Sequence, residues 1–217
     1  MSEALSFYRQ AVLKPGFKSK VFDFKAGTAF VVNFEGHYVL LTAMHLFGPA
    51  GGLNKKYSGE ELAALDITVT ARACDTHEVI LASSNVLTFK GAKGRQPATT
   101  ADDLFAVSVV ECSAFKLAKK LPSVGDKVSL VARLKKQKPG DTMLHPATVV
   151  AVANDYIEYK FDNKRLNPGG ASGAPVINEA GEVIGMNLVS AGIPMVNRKG
   201  RANTALNLRQ RLRSALS

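Results

Sequence analysis

The stretch that most narrows the fold of this chain reads Gly170-Ala171-Ser172-Gly173-Ala174-Pro175. It fits the pattern G-x-S-G-[GA]-P, in which small residues surround a single serine. Glycines on both sides let the backbone approach a substrate carbonyl closely. Ser172 is therefore a candidate nucleophile, and the backbone amides of Gly170 and Ser172 are candidate oxyanion donors. A turn rich in glycine and serine is by itself more often only a turn.

Two upstream segments supply the other groups that a serine nucleophile needs. A hydroxyl is a poor nucleophile at neutral pH, so it requires a base, and the base requires an orienting acid. His45 follows the apolar run 39–44 and is the candidate base. Asp102 and Asp103 open the apolar run 104–110. We favour Asp103 as the acid, but the run is apolar on both faces, so Asp102 and a purely structural role for both stay open.

These residues carry a resemblance to a known family. Thr42-Ala43-Met44-His45, the strand opened by Asp103 and the Ser172 turn resemble, in the same order, the motifs of chymotrypsin-fold (trypsin-like) serine proteases. Gly27-Thr28-Ala29-Phe30 and residues 181–187 are similar to bacterial high-temperature-requirement proteases, and viral chymotrypsin-like proteases are also similar. The resemblance implies an all-β fold of two six-stranded antiparallel β-barrels, with the catalytic groups meeting between them.

The resemblance also implies a function. It predicts a serine endopeptidase that forms an acyl-enzyme intermediate through His45, Asp103 and Ser172, with the amides of Gly170 and Ser172 as the oxyanion hole and no metal or organic cofactor. A viral polyprotein-processing protease and a catalytically silent binding module are the alternatives. No aspartate stands at the expected base of the specificity pocket, which favours a small or medium uncharged side chain before the cleaved bond. The expected substrate-binding residues are Leu166, Asn167, Asn187, Leu188 and Val189.

Short β-branched and aromatic segments separated by turn residues predict the domain organisation. We expect an N-terminal extension over residues 1–20, a first barrel over 21–115 carrying His45 and Asp103, and a second barrel over 116–217 carrying Ser172. Helical patterns occur over 3–12, 59–65 and 206–216, and the last predicts a C-terminal helix on the second barrel. Pro15-Gly16 is expected to end the first helix.

Composition is typical of a soluble globular protein, with 46% hydrophobic residues in 217. There is no apolar run long enough to span a membrane and no N-terminal pattern of a secretory signal, so a cytoplasmic location is expected, or the host cytoplasm if the chain is viral. The two cysteines, Cys74 and Cys112, suggest neither a disulfide framework nor a zinc site.

The chain is strongly basic, with 28 Lys and Arg against 18 Asp and Glu and a net charge of +10. Such a charge favours acidic partners through the long-range electrostatic field. Basic residues cluster at 135–138 and 209–213, but no nucleic-acid fold motif and no interleaved aromatics accompany them. The expected partner is a peptide or protein substrate, nucleic acid is a possible but unfavoured one, and the oligomeric state stays open.

Overall fold

A computed structural model describes residues 3–87, 89, 91–94, 100–191 and 198–217 of the chain. Its first half contains an eight-stranded antiparallel sheet, ordered β6-β5-β1-β3-β4-β8-β7, with β2 pairing beside β1. The strands are β1 (Val12–Lys18), β2 (Asp23–Lys25), β3 (Ala29–Phe34), β4 (His37–Thr42), β5 (Thr68–Ala73), β6 (Val79–Ser83), β7 (Val86–Leu87) and β8 (Phe105–Ser108).

The second half forms a closed six-stranded barrel, ordered β10-β11-β14-β13-β12-β9. Its strand pairs are antiparallel. The barrel interior is filled by side chains such as Leu130, Tyr159 and Val176, all of which are fully buried. The strands are β9 (Lys127–Val131), β10 (Leu144–Val152), β11 (Tyr156–Phe161), β12 (Pro175–Asn178), β13 (Val183–Ala191) and β14 (Lys199–Thr204).

The expectation of two six-stranded barrels is therefore met only in the second half. The first sheet has eight strands, and among the described residues its end strands β6 and β7 do not pair with each other. Residues 12–18, expected within an N-terminal extension, form strand β1 of this sheet. The fold is mostly β, with one closed barrel.

Strand β1 was missed because of Pro15, which was expected to stop a helix. Proline lacks a backbone donor, so it normally stays out of sheet interiors. Here one side of β1 changes partner at that point: Val12 and Leu13 pair with β3, whereas Gly16 to Lys18 pair with β2. Pro15 has no partner residue on that side of the strand, so its missing N–H is tolerated there.

The described part of the chain contains three α-helices outside the strands, α1 (Glu3–Ala11), α2 (Gly59–Ala63) and α3 (Ala205–Leu216). The predicted C-terminal helix is confirmed: Thr204 caps its start, and Leu208 and Leu212 are fully buried. Its arginines also reach the first half of the chain, where Arg213 bonds Glu35 at 2.6 Å. None of the helices within the described residues is long and apolar enough to cross a membrane.

Candidate active site

His45 is held at the end of a buried strand. Strand β4 runs out into a short 3-10 turn, Met44–Leu46, in which Met44 and Leu46 are buried and His45 keeps 12% of its side chain exposed. Gly94 packs against the backbone of His45, and a Cβ at Gly94 would lie only 3.1 Å from the His45 Cα. The ring is thus placed at the edge of the core.

Asp103 is the partner of this histidine. Its fully buried side chain accepts a hydrogen bond from His45 Nδ1 at 2.7 Å and another from the His45 backbone N–H at 2.8 Å. A neutral ring that donates through Nδ1 leaves Nε2 free to accept a proton. The pair therefore has the arrangement of a general base and its orienting acid.

The neighbouring Asp102 has a different environment. Its carboxylate pairs with Arg211 of helix α3, and it is only half-buried. Successive residues point in different directions, so only one of the two aspartates reaches His45. The sequence had left this choice open.

The Ser172 loop has a backbone that only small residues allow. Gly170 and Gly173 both have φ +84°, in the left-handed region that favours glycine. A Cβ at Gly173 would overlap the carbonyl oxygen of Thr28 and the hydroxyl of Thr42. Gly173 therefore packs directly on the two threonines of the first sheet, next to the turn that carries His45.

Two backbone donors of this loop have no acceptor within the described residues: the N–H of Gly170 and the N–H of Ser172. Their directions follow from the carbonyls in the same planar trans peptides. The Gly169 carbonyl accepts from the Lys135 N–H at 2.9 Å, and the Ala171 carbonyl accepts from the Ala174 N–H at 2.9 Å. Each N–H points away from its anchored carbonyl and stays available to a ligand.

The Ala171 carbonyl has a second anchor in Asn187. The Asn187 Nδ2 donates to it at 3.0 Å, and the Tyr159 hydroxyl donates to Asn187 Oδ1 at 2.6 Å. Asn187 is 1% exposed, and burial raises the pKa of the Tyr159 phenol far above its ordinary value. Both atoms of the Asn187 amide are thus used inside the protein.

Thr28 ties the other side of the loop to the first sheet. Its hydroxyl donates to the Gly170 carbonyl at 2.7 Å, and its N–H donates to the Ser172 carbonyl at 2.8 Å. The ammonium of Lys14, in β1, donates in turn to the Thr28 hydroxyl at 3.0 Å. Burial lowers the pKa of Lys14. Sequence reasoning assigned no role to Lys14, Thr28 or Tyr159; the one available signal was a lone lysine after the apolar Ala11-Val12-Leu13.

Ser172 itself is half-buried, and its hydroxyl makes no hydrogen bond with His45 or with any other residue that the structure describes. The contact of Gly173 with Thr42 and with the Ala43 N–H still brings the serine loop beside the histidine turn. The described geometry thus contains a bonded His45–Asp103 pair and a serine on the adjacent loop.

The five expected substrate-binding residues are spread between surface and interior. Asn167 is exposed, whereas Leu166 and Val189 are half-buried and pack against the core. Leu188 is 2% exposed. Asn187 lies under the serine loop rather than on a pocket wall, because its amide spans Tyr159 and Ala171. The expected pocket wall over residues 187–192 ends at Gly192, which lies outside the described residues.

A scan against protein-family models matches the trypsin-like peptidase domain over residues 27–186. This segment covers most of the chain and includes His45, Asp103 and Ser172. The chain belongs to the trypsin-like peptidase family. It is therefore a serine endopeptidase by family, and the family resemblance stated from the motifs is confirmed. The matched segment leaves out β1 with Lys14, and it ends one residue before Asn187.

Solved structures with the same fold are only distantly related to this trypsin-like peptidase. The active form of the Rv3671c protease from M. tuberculosis has 16% identity and a TM-score of 0.61, covering 98% of this chain and 84% of that one. A serine endoprotease from Yersinia pestis has 13% identity and a TM-score of 0.62, covering 100% and 67%. Kallikrein-related peptidase 10 in complex with Zn²⁺ has 12% identity and a TM-score of 0.62, covering 100% of this chain and 98% of that one. No curated protein matches the chain significantly.

The inactive form of Rv3671c fits this trypsin-like peptidase about as well as the active form, with a TM-score of 0.60 and 17% identity. It covers 99% of this chain and 93% of that one. Similarity of the whole fold therefore does not report whether a catalytic site is assembled. That question rests on the local geometry of this chain.

Proposed function

We propose that this chain hydrolyses peptide bonds by acyl transfer to Ser172, with His45 as general base and Asp103 as its orienting acid. The observation that carries the proposal is the buried Asp103 carboxylate at 2.7 Å from His45 Nδ1, beside a serine loop with two unengaged N–H donors. A base and a pair of oxyanion donors are the two parts that a serine nucleophile requires.

The steps follow from these roles. His45 Nε2 takes the proton of the Ser172 hydroxyl as its oxygen attacks the substrate carbonyl, and the Gly170 and Ser172 amides bind the resulting oxyanion. His45 then gives the proton to the leaving amine. Water repeats the sequence on the acyl-enzyme and releases the acid product. In the structure the Ser172 hydroxyl and His45 are not hydrogen-bonded. Catalytic hydrogen bonds often tighten only in the substrate complex.

Substrate choice is part of the proposal. We assign the pocket for the residue before the cleaved bond to Leu166, Asn167, Leu188 and Val189, with Asn187 supporting it from beneath. None of these side chains carries a charge, so a small or medium uncharged residue is expected to bind there. Cleavage after lysine or arginine is not expected, since no carboxylate is present among these residues.

A fluorophosphonate serine-hydrolase probe tests the proposal directly. The purified protein is expected to gain one probe mass by intact mass spectrometry, and Ser172→Ala is expected to gain none. Ser214→Ala, an exposed serine on α3, is the matched control and should label like the unmodified protein. Labelling that survives in Ser172→Ala would exclude Ser172 as the nucleophile.

Absence of labelling in a folded sample would favour the silent binding module instead. The unbonded Ser172 hydroxyl is the observation that keeps this second candidate in view. Where the unmodified protein does label, His45→Ala tests the role of the base: triad members act as a unit, so its labelling should be lost almost as completely as in Ser172→Ala.

A further inference from the structure

A cavity of about 490 Å³ lies beside the serine loop, between the first sheet and the second barrel. Gly27 and Gly170 form part of its wall, so it opens next to the backbone that carries one of the two oxyanion donors. The remaining wall is rich in basic side chains from both halves of the chain. These are Lys14, Lys25, Arg72, His77, Arg133 and Lys135.

No aspartate or glutamate from the described part of the chain lines this cavity. Arg133 is neutralised by an ion pair with Asp75, yet its buried Nε has no hydrogen-bond partner among the described residues. Within the described residues, Arg72 donates to the Thr70 hydroxyl at 2.9 Å, and Lys14 donates to uncharged oxygens. Lys14 and Arg72 thus have no carboxylate partner in the described part of the chain, whereas buried charges are normally paired.

Several basic residues elsewhere in the molecule are paired. Lys55 bonds Glu61 at 2.6 Å, and Arg201 bonds Glu158 at 2.5 Å. The exposed Lys25 and Lys135 at the cavity are, like several other surface lysines, without an ion pair within the described residues. Part of the surplus positive charge of the chain is thus left without a partner at one cavity beside the serine.

We infer that this cavity is a subsite for an acidic side chain of the peptide substrate. The inference rests on the proposed function, because a peptide carbonyl bound by the Gly170 and Ser172 amides places the neighbouring residues at the cavity mouth. Arg72 lines the cavity from the first sheet and Lys135 from the second half of the chain, and the two cations together suit the two oxygens of a carboxylate. A volume of about 490 Å³ is more than one glutamate side chain needs.

The first experiment uses peptides of random sequence, whose cleavage by the purified protein is read by mass spectrometry. One cleaved sequence is then made in pairs that differ only by Glu or Gln at each position on both sides of the cleaved bond. At one position the Glu peptide is expected to have a kcat/KM about fivefold higher, as expected for a partly exposed ion pair. The ratio should fall toward one as salt is raised from about 50 to 500 mM.

The variant Arg72→Gln/Lys135→Gln is expected to lower this Glu-to-Gln ratio toward one. The control Lys120→Gln/Lys160→Gln removes the same amount of charge from two exposed lysines that do not line the cavity. It should leave the Glu-to-Gln ratio unchanged. Thermal unfolding of both variants shows whether they are folded. If Arg72→Gln/Lys135→Gln does not fold, the test is the salt dependence of the Glu-to-Gln ratio in the unmodified protein. A ratio that does not change with salt would overturn the inference.

Failure of the inference and failure of the proposed function give different results. A protein that labels at Ser172 and cleaves peptides without any Glu preference overturns the subsite alone. A folded protein that neither labels nor cleaves fails the proposed function, and the subsite with it. Inorganic phosphate is the remaining probe: a raised melting temperature in phosphate without any Glu preference would make the cavity a site for free anions and overturn its role toward substrate.

Discussion

The two halves of the candidate site are built in different ways. On the first sheet, His45 is oriented by one side chain, the buried carboxylate of Asp103. On the barrel, the Ser172 loop is oriented through its backbone carbonyls, which accept hydrogen bonds from Thr28 and Asn187. The histidine is positioned by a direct contact between two side chains, whereas the serine loop is positioned by residues that support its backbone. The consequence is that mutations should affect the two halves with different size and different kinetic signature.

The largest expected effect is on the side-chain half. Asp103→Asn should lower kcat by about 10⁴, because the amide no longer stabilises the required tautomer and the imidazolium. Asp102→Asn is the matched control one residue away. It removes only the pair with Arg211, which is partly exposed, so it should cost no more than about 1 kcal/mol of stability. Steady-state kinetics on both variants make the comparison, and a large kinetic loss in Asp102→Asn would reverse the assignment.

The next effect tests the backbone half. Asn187→Leu removes a donor to the Ala171 carbonyl, so we expect kcat to fall about 10- to 100-fold with little change in KM, less than loss of an oxyanion donor itself. It also leaves the buried Tyr159 hydroxyl without its hydrogen-bond acceptor, which should lower the free energy of unfolding by about 1–3 kcal/mol.

The double variant Asn187→Leu/Tyr159→Phe separates positioning from stability. Replacing both hydrogen-bond partners by apolar groups should restore most of the melting temperature, since no buried polar atom is left from that pair. The kcat should stay low, because the Ala171 carbonyl has still lost its side-chain donor. Recovery of kcat together with stability would show that Asn187 acts only on folding.

A smaller effect is expected where the serine loop meets the first sheet. Thr28→Val deletes the hydroxyl that donates to the Gly170 carbonyl and accepts from Lys14. Only one of several anchors is lost, so kcat should fall about tenfold. Thr28→Ser keeps the hydroxyl and is expected to rescue most of the rate. A loss in Thr28→Ser without a loss in Thr28→Val would instead assign the effect to packing of the threonine methyl group, because only the serine variant removes it.

The smallest effect concerns a second histidine that is not in the site. His145 is buried in β10, and its Nε2–H donates to the Ala132 carbonyl at 3.0 Å. Burial lowers the pKa of His145. Below about pH 6.5 the unfolded chain therefore binds more protons than the folded one, and the free energy of unfolding should decrease as pH falls. The free energy of unfolding, measured by urea titration at several pH values from 7 to 5, should depend less on pH in His145→Gln than in the unmodified protein.

The motifs were enough to name candidate components of the site, because chemical identity is local. A serine among glycines, a histidine after an apolar strand and an aspartate before another can each be recognised without knowing the fold. The C-terminal helix was predicted for a similar reason, since its leucines repeat at helical spacing. Strand β1 was not predicted, because a proline such as Pro15 normally disfavours a strand. It is tolerated here because the pairing partner changes at Pro15, and strand pairing depends on residues that are distant in the sequence.

Residue type and order in the sequence determined the family, the candidate nucleophile, base and acid, and the strongly basic charge. Only the tertiary structure decided between Asp102 and Asp103, because the two differ in direction and not in chemistry. It alone brought Lys14, Thr28 and Asn187 to the serine loop from three separate strand regions. It also left several cations without acidic partners around one cavity. Hydrogen bonds and charge pairs between distant segments depend on distances that the order of residues along a chain does not specify.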